Sequence, residues 1–124
     1  MSWNGECVDD SAASSGNPRI LPYEVKPITN LTPAKCIGTC RGDGYSFAGV
    51  QNAESCFCGN DAPPPNKIVA LGECDMGCTG DTSIKCGGSW RMNVYNTEGI
   101  LSFFLISRQV KFLSKSYSDT NRKT

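Results

Sequence analysis

The 124-residue chain contains no histidine. That removes the usual acid–base group near neutral pH and the commonest metal ligand together. Aliphatic side chains are scarce as well. Leu, Ile, Val and Phe number only 15 between residues 3 and 95. A fraction under about one fifth points to disorder unless something other than an apolar core holds the segment. No apolar run approaches the roughly 20 residues of a membrane-spanning helix. The most apolar stretch, GILSFFLI from Gly99 to Ile106, is far shorter. The opening MSWNGECVDD has neither the basic n-region nor the apolar h-region of a secretory leader. Neither sign of charge dominates, since 12 Lys/Arg balance 12 Asp/Glu. Residues 3–95 carry seven basic against ten acidic groups, and residues 96–124 five against two. With no basic patch interleaved with aromatics, nucleic acid is not an expected partner.

What the chain does have is eight cysteines, all from Cys7 to Cys86. An even count suggests a disulfide framework formed in an oxidising compartment. Structural zinc is the competing reading, and without histidine it would need thiolates alone. The CxxxC, CxC and CxxxC spacings with a lone Cys86 do not give the short paired loops of such sites. Neither a metal nor a cofactor is expected. On a chain-entropy account each bridge contributes roughly 3 to 4.5 kcal/mol, though not additively. The cross-links thus substitute for a core that this segment cannot build. An extracellular module without a visible leader implies a fragment or a lost true start.

Along the chain, residues 9–35 read as loop-rich, with SAASSGNP as a surface loop followed by Arg19-Ile20-Leu21. Asn30-Leu31-Thr32 is an N-glycosylation sequon, making Asn30 a candidate site in a secreted protein. Thr32 suits an N-cap and Pro33 the first helical position, so a helix is predicted over Pro33–Arg41, ended by Gly42-Asp43-Gly44. Tyr45–Gln51 and Ser55–Cys58 read as strands joined by a turn at Asn52-Ala53-Glu54. Asp61–Gly72 is a proline-containing loop and Glu73–Gly80 a tight segment. Trp90–Tyr95 reads as a closing strand, with Trp90, Met92 and Val94 on one face and Arg91, Asn93 and Tyr95 on the other.

Cys36 and Cys40 lie about 6 Å apart along one helix face, and Cys56 and Cys58 about 6.7 Å apart on one strand face. Two parallel bridges can therefore clamp the helix to the sheet. Cys36–Cys56 with Cys40–Cys58 is the pairing expected first. The swapped set, Cys36–Cys58 with Cys40–Cys56, fits a reversed strand equally, and geometry leaves both open. Cys78 and Cys86 are near neighbours and are expected to pair, which leaves Cys7 with Cys74.

The succession Arg19-x-Leu21, Cys36-xxx-Cys40, YSFAGVQ, CFCGN at Cys56–Asn60, ECDMGCTGD at Glu73–Asp81, CGGSW at Cys86–Trp90 and Tyr95 resembles a WSC domain. The likeness covers nearly all of residues 3–95 and all eight cysteines. It implies a secreted or cell-surface module, as in fungal cell-wall stress sensors, in modules appended to fungal carbohydrate-active enzymes and copper-radical oxidases, and in the Kremen receptors of animals. The implied ligand is cell-wall glucan or a similar polysaccharide. The implied fold is small, disulfide-rich α+β, one main helix on an antiparallel sheet, PAN/apple-like. The family's pattern implies Cys7–Cys74, Cys36–Cys56, Cys40–Cys58 and Cys78–Cys86, which selects between the two open pairings. The chain departs at its start, where the family has Gly-Cys-aromatic-x-Asp and this sequence has Gly5-Glu6-Cys7-Val8-Asp9.

Sugar-binding faces set aromatic rings against the C–H side of a pyranose and add a few polar groups for its hydroxyls. Tyr45, Phe47, Phe57, Trp90 and Tyr95 are the candidates, against the plain reading that a small core absorbs its aromatics. Tyr45 and Phe47 share a strand face and are expected in the core. Phe57 alternates away from Cys56 and Cys58 and so from the helix. Phe57 and Tyr95 are the better ligand candidates, with Asn60 and Arg91 nearby in sequence and Trp90 the fifth. Gly49, Gly59, Gly87 and Gly88 are expected to serve positive φ or close approach, and Asp81 to hold a turn. Without histidine, a free thiol or a serine elbow motif, no catalysis is expected.

Residues 96–124 are expected to lie outside the module. The apolar run is too short to span a membrane, and SKSYSDTNRKT should be disordered. Ile100–Leu113 is either a short basic amphipathic helix or the product of a gene-model error, the latter preferred. The leading function is a monomeric, non-catalytic polysaccharide-binding module. The alternatives are the ectodomain of a wall-stress sensor, a targeting module cut from an enzyme, and a protein-binding module of a surface receptor.

Overall fold

A computed structural model describes residues 2–98. The expectations for the apolar run at Gly99–Ile106 and for the basic segment after it lie outside those residues. One helix, α1 (Pro33–Gly42), packs on a five-stranded antiparallel sheet. The strands are β1 (Asn4–Asp9), β2 (Tyr23–Glu24), β3 (Phe47–Gln51), β4 (Ser55–Gly59) and β5 (Arg91–Asn96), in the order β1-β5-β3-β4-β2. This is a small disulfide-rich α+β domain.

The helix starts where its caps dictate. Thr32 is extended, and its Oγ1 accepts the Lys35 N–H at 3.3 Å. Pro33 follows at the first helical position, where a missing N–H costs nothing. At the other end the Asp43, Gly44 and Tyr45 N–H groups donate to the Thr39, Arg41 and Cys40 carbonyls, and Gly44 takes φ +90. Cys36, Ile37 and Cys40 are the side chains turned to the sheet.

All four disulfides form in the pairing that the resemblance implied: Cys7–Cys74, Cys36–Cys56, Cys40–Cys58 and Cys78–Cys86. The two helix bridges are nearly equal in span, with Cα–Cα of 5.6 and 5.5 Å. The Sγ atoms of Cys36, Cys40 and Cys56 lie within 4.8 Å of one another. Each is already committed to a disulfide, so this grouping is two stacked bridges and not a thiolate metal site.

Pairing register divides the sheet's side chains between two cores. Cys56, Cys58, Ala48 and Val50 face α1 and pack with Leu31, Ile37 and the Cys78–Cys86 bridge. Phe57, Val94, Met92 and Val8 face the other way and are covered by Trp3 and Leu21. Leu21 is delivered by residues 10–22, which read as plain loop but cross that far face. Gly49 makes room for it. A Cβ there would lie 2.3 Å from Met92 Sδ and 3.0 Å from Leu21 Cδ1.

Several sequence expectations need correction. Tyr45 and Phe47 do not share a core face, because β3 begins only at Phe47. Tyr45 is still part of the turn that ends α1, packing on the helix side, while Phe47 packs on the far side. Trp90 is not in the closing strand. It occupies a turn at φ +55, and β5 runs from Arg91 to Asn96. The ordered unit also extends past Tyr95. Thr97 is fully buried, its N–H donating to the Ser46 carbonyl and its Oγ1 to the Tyr45 carbonyl. Two strands were missed. β1 carries one tight alternation around Cys7, and β2 is two residues long, too short for any period to show. Asp81 does hold a turn, accepting from the Ser83 N–H and hydroxyl. No helix among the described residues is long and apolar enough to cross a membrane.

Two stability predictions arise here. Gly87 takes φ +75 with backbone on all sides, and a Cβ would lie 2.5 Å from the Arg91 and Val50 carbonyl oxygens. Gly87→Ala should therefore lose about 2 kcal/mol or more, combining strain and overpacking. Gly72→Ala, which meets nothing within 4 Å, should stay within about 0.5 kcal/mol by urea titration. For the disulfides, Cys7–Cys74 closes 67 residues and Cys78–Cys86 only 8. Paired Cys→Ala replacement should cost about 4 kcal/mol for the first and about 2.5 kcal/mol for the second on the loop-entropy relation, read from denaturation midpoints.

Candidate ligand cleft

The far face of the sheet carries a cleft of about 240 Å³ between the end of β3, strand β2 and the turn before β5. Its walls include Arg19, Glu24, Gln51, Asn52, Phe57 and Trp90. At that size it lies below the roughly 300 Å³ at which pockets begin to engulf small molecules, so it suits a ligand laid on its surface.

Each wall has a local cause. Asp10 follows β1, and its carboxylate is almost fully buried. One oxygen accepts the Ile20 N–H at 2.9 Å and the other accepts Arg19 Nη1 at 2.8 Å. A buried carboxylate is tolerable only with such partners. The two bonds fold residues 10–20 back over the sheet and fix Arg19. The guanidinium carbon then sits 4.6 Å from the Phe57 ring centroid and 5.2 Å from the Trp90 ring centroid. Delocalised charge stacks well on such faces. Nη1 to Asp10 is the single side-chain bond that Arg19 makes among the described residues, so other guanidinium donors remain available.

Trp90 is held through its carbonyl and by the turn around it. Its carbonyl accepts from the Asp10 N–H and from Arg91 Nη1, each at 3.0 Å. Gly88 and Arg91 exchange backbone bonds across the turn at 2.8 and 3.2 Å. A bulky residue at positive φ costs on the order of 1–3 kcal/mol and persists where its surroundings impose it. The cost here places an indole, partly exposed, at the cleft's rim.

Gln51 ends β3 facing the cleft and is 5 % exposed, yet no described group donates to its Oε1. Buried acceptors are nearly always paired, and an unmet one costs about 1–3 kcal/mol. Asn52 and Ala53 follow at φ +56 and +70, and the turn is tied by Ala53 N–H to the Cys86 carbonyl and by Thr79 N–H to the Ala53 carbonyl. The Cys78–Cys86 loop thus braces the end of the cleft.

Of the five ligand candidates, the structure brings Phe57 and Trp90 together and puts the other three elsewhere. Phe57 does face away from the helix, but it is 2 % exposed and covered by Arg19, so it is the cleft's floor. Asn60 is exposed past the end of β4, its Oδ1 accepting the Ser46 N–H. Arg91 is spent on Glu73 at 2.6 Å and Asp9 at 3.0 Å. Tyr95 lies on the helix side of the sheet, half-buried. Desolvation, followed by the nearby Glu6, raises its phenol above the usual range. Asn30 of the sequon is exposed at φ +53, just ahead of the helix cap. Arg19 and Gln51 were missed as site residues. Arg19 stands in the WSC-like succession with no role that its spacing discloses, and alternation along YSFAGVQ does put Gln51 on the face of Phe47.

With the site described, comparison with known proteins is informative. Residues 5–88 match the WSC domain family. The chain belongs to the WSC domain family. It is 43 % identical over 75 residues to the Drosophila melanogaster xylosyltransferase oxt, a match covering 60 % of this chain and 8 % of that protein. Human Kremen protein 1 is 38 % identical over 84 residues, covering 66 % of this chain and 18 % of the receptor. A WSC domain-containing protein of Arthroderma benhamiae is 38 % identical over 73 residues, covering 57 % and 8 % respectively. The chain therefore spans less than a fifth of the length of these curated relatives, and the shared part is the WSC domain.

One pH prediction concerns the clamp behind Trp90. Hydrogen bonds from Ser11, its hydroxyl first and its N–H second, hold the Asp9 carboxyl below its ordinary 3.8, with Arg91 adding to the effect. A folded-state pKa below the unfolded one stabilises above the unfolded value, and that stability fades as pH falls through the folded value. Unfolding midpoints should therefore drop as pH falls from about 5 through the carboxylate range. Asp9→Asn should be less stable at the higher pH and show a shallower acid slope.

Proposed function

We propose that residues 3–95 are a non-catalytic extracellular or cell-surface module that binds a cell-wall-type polysaccharide, glucan-like in character, at the Trp90 cleft. The observation that carries this is the strained Trp90 indole held beside an unpaired, buried Gln51 acceptor and an Arg19 with free donors. That is the composition a pyranose asks for: a flat apolar face, and acceptors and donors for hydroxyls at its edge. Family membership supports the same reading through the glycan association of WSC domains. The lack of histidine and the commitment of all eight cysteines to bridges support a binding role over catalysis. Four buried disulfides favour an oxidising location.

A second reading is a protein-binding module, favoured by one observation. Tyr23, 55 % exposed, stacks on Tyr45 at 5.1 Å on the opposite side of the sheet edge, and exposed aromatics suit protein contacts.

The oxidised module should be retained on insoluble β-glucan. Trp90→Ala should weaken retention about tenfold or more. Gln51→Leu, which keeps the volume and removes the acceptor, should weaken it too. Tyr23→Ala and Tyr95→Ala should bind as wild type. Retention unchanged in Trp90→Ala and Gln51→Leu, with folding confirmed by circular dichroism, would refute the cleft. Loss in Tyr23→Ala alone would move the glycan site to the Tyr23–Tyr45 face.

A further inference from the structure

The Trp90 cleft does not end at strand β2. A second depression of about 420 Å³ adjoins it, and the two share Glu24 and Ser55 as common walls. The second is built by the segment that continues past β2 and by the β3–β4 turn. Val25, Pro27 and Ile28 give it an apolar side, and Glu54, Thr79 and the sequon residue Asn30 a polar one. Its position is fixed. The Val25 N–H donates to the Cys56 carbonyl, extending the β2–β4 pairing. Thr79 Oγ1 accepts the Leu31 N–H at 3.0 Å, tying the Cys78–Cys86 loop to the start of α1.

We infer that the two depressions are consecutive subsites of one open groove, and that the groove takes an internal stretch of an uncharged glycan chain. This rests on the proposed carbohydrate reading of the Trp90 cleft and adds to it the ligand's length and charge. Three observations carry it. Both depressions are open to solvent and neither is an enclosed cavity. The shared walls, Glu24 and Ser55, offer acceptors and a hydroxyl at the junction, where a glycosidic linkage between bound units would pass. The charge is one-sided. Arg19, the cleft's cation, is already paired with Asp10, while Glu24 and Glu54 line the groove with no ion-pair partner among the described residues. A uronic or sulfated chain would bring like charge against those carboxylates, and such juxtaposition penalises the wrong partner.

The experiment is a titration of the oxidised module with β-1,3-gluco-oligosaccharides of one to six units, beside retention on the insoluble polymer. Affinity should rise about tenfold or more from disaccharide to tetrasaccharide and then level off as both subsites fill. Val25→Asp, placed in the second depression, should flatten that rise while leaving the disaccharide unaffected. A carboxymethylated β-glucan should be retained less than the neutral polymer by wild type, and Glu24→Gln/Glu54→Gln should narrow the gap. If the polymer is held through Trp90 but affinity already levels at the disaccharide, the two-subsite groove is wrong and the Trp90 site stands. If charged and neutral polymers are held alike, the charge selection is wrong. If the polymer is not held at all, the carbohydrate reading fails and this inference fails with it.

Discussion

The pair of bridges Cys36–Cys56 and Cys40–Cys58 governs the rest of this molecule. A ten-residue helix is too short to persist in water on its own propensity, and α1 has only Pro33 and Ile37 as buried residues besides its cysteines. Covalent attachment at two points one helical turn apart fixes both its distance and its direction relative to β4. Once α1 is fixed, Leu31 and the carbonyls at its entry become a docking surface for the Cys78–Cys86 loop, through Gly80 N–H to the Leu31 carbonyl. A Cβ at Gly80 would lie 2.2 Å from the Asn30 carbonyl oxygen, so this contact is backbone on backbone. The helix face therefore gains its order from cross-links and main-chain contacts, with few large side chains.

The opposite face is held by a different device. It has Trp3, Leu21, Phe57 and Met92 for apolar packing, but the connection that covers it is pinned by charge. Asp10 gathers Arg19 and Ile20, and Arg91 gathers Asp9, Glu73 and the Trp90 carbonyl. From the helix side of β5, Asn93 bridges the Gly87 N–H and the Gly5 carbonyl. These polar staples converge on the turn that presents Trp90. Strain at that residue is thus balanced by bonds on its neighbours, in keeping with a site imposed by the fold around it.

The helix, its caps and the β3–β4 hairpin were legible in the sequence because each rests on local chemistry, whereas cysteine spacing left two pairings of the helix bridges open and the resemblance to WSC domains chose between them. Thr32-Pro33 fixes one helix end, Gly44 the other, and cysteine spacing matches the helix rise to the strand rise. The cleft was only half legible. Alternation correctly turned Phe57 away from the helix, but it also assigned Trp90 to a strand it precedes. A period of two cannot register a residue forced to positive φ by the Gly88–Arg91 turn. Asn60 and Arg91 were grouped with Phe57 and Tyr95 because they lie near them in sequence, and Tyr95 was chosen because alternation sets it opposite Trp90. Antiparallel pairing instead sends Tyr95 to the Cys58 and Ala48 row on the helix side, and Arg91 is captured by two carboxylates. Arg19 escaped notice as a site residue for the reverse reason. Its place between two rings depends on a carboxylate nine residues away folding the loop back.

The two faces also divide the work of the domain. The helix face is cross-linked so densely that Cys40 Sγ lies 3.9 Å from Cys56 Sγ of the neighbouring bridge. The far face is fastened by hydrogen bonds and ion pairs, which leave side-chain donors and acceptors only partly used. Arg19 keeps donors in reserve, and Gln51 keeps an acceptor. A binding surface needs such unfinished polar groups on a backbone that does not move, because ordering a mobile loop would subtract from affinity. The disulfides supply the rigid backbone from behind, and the polar staples leave the unfinished groups in front. That arrangement explains why the cleft opens on the side of the sheet away from α1.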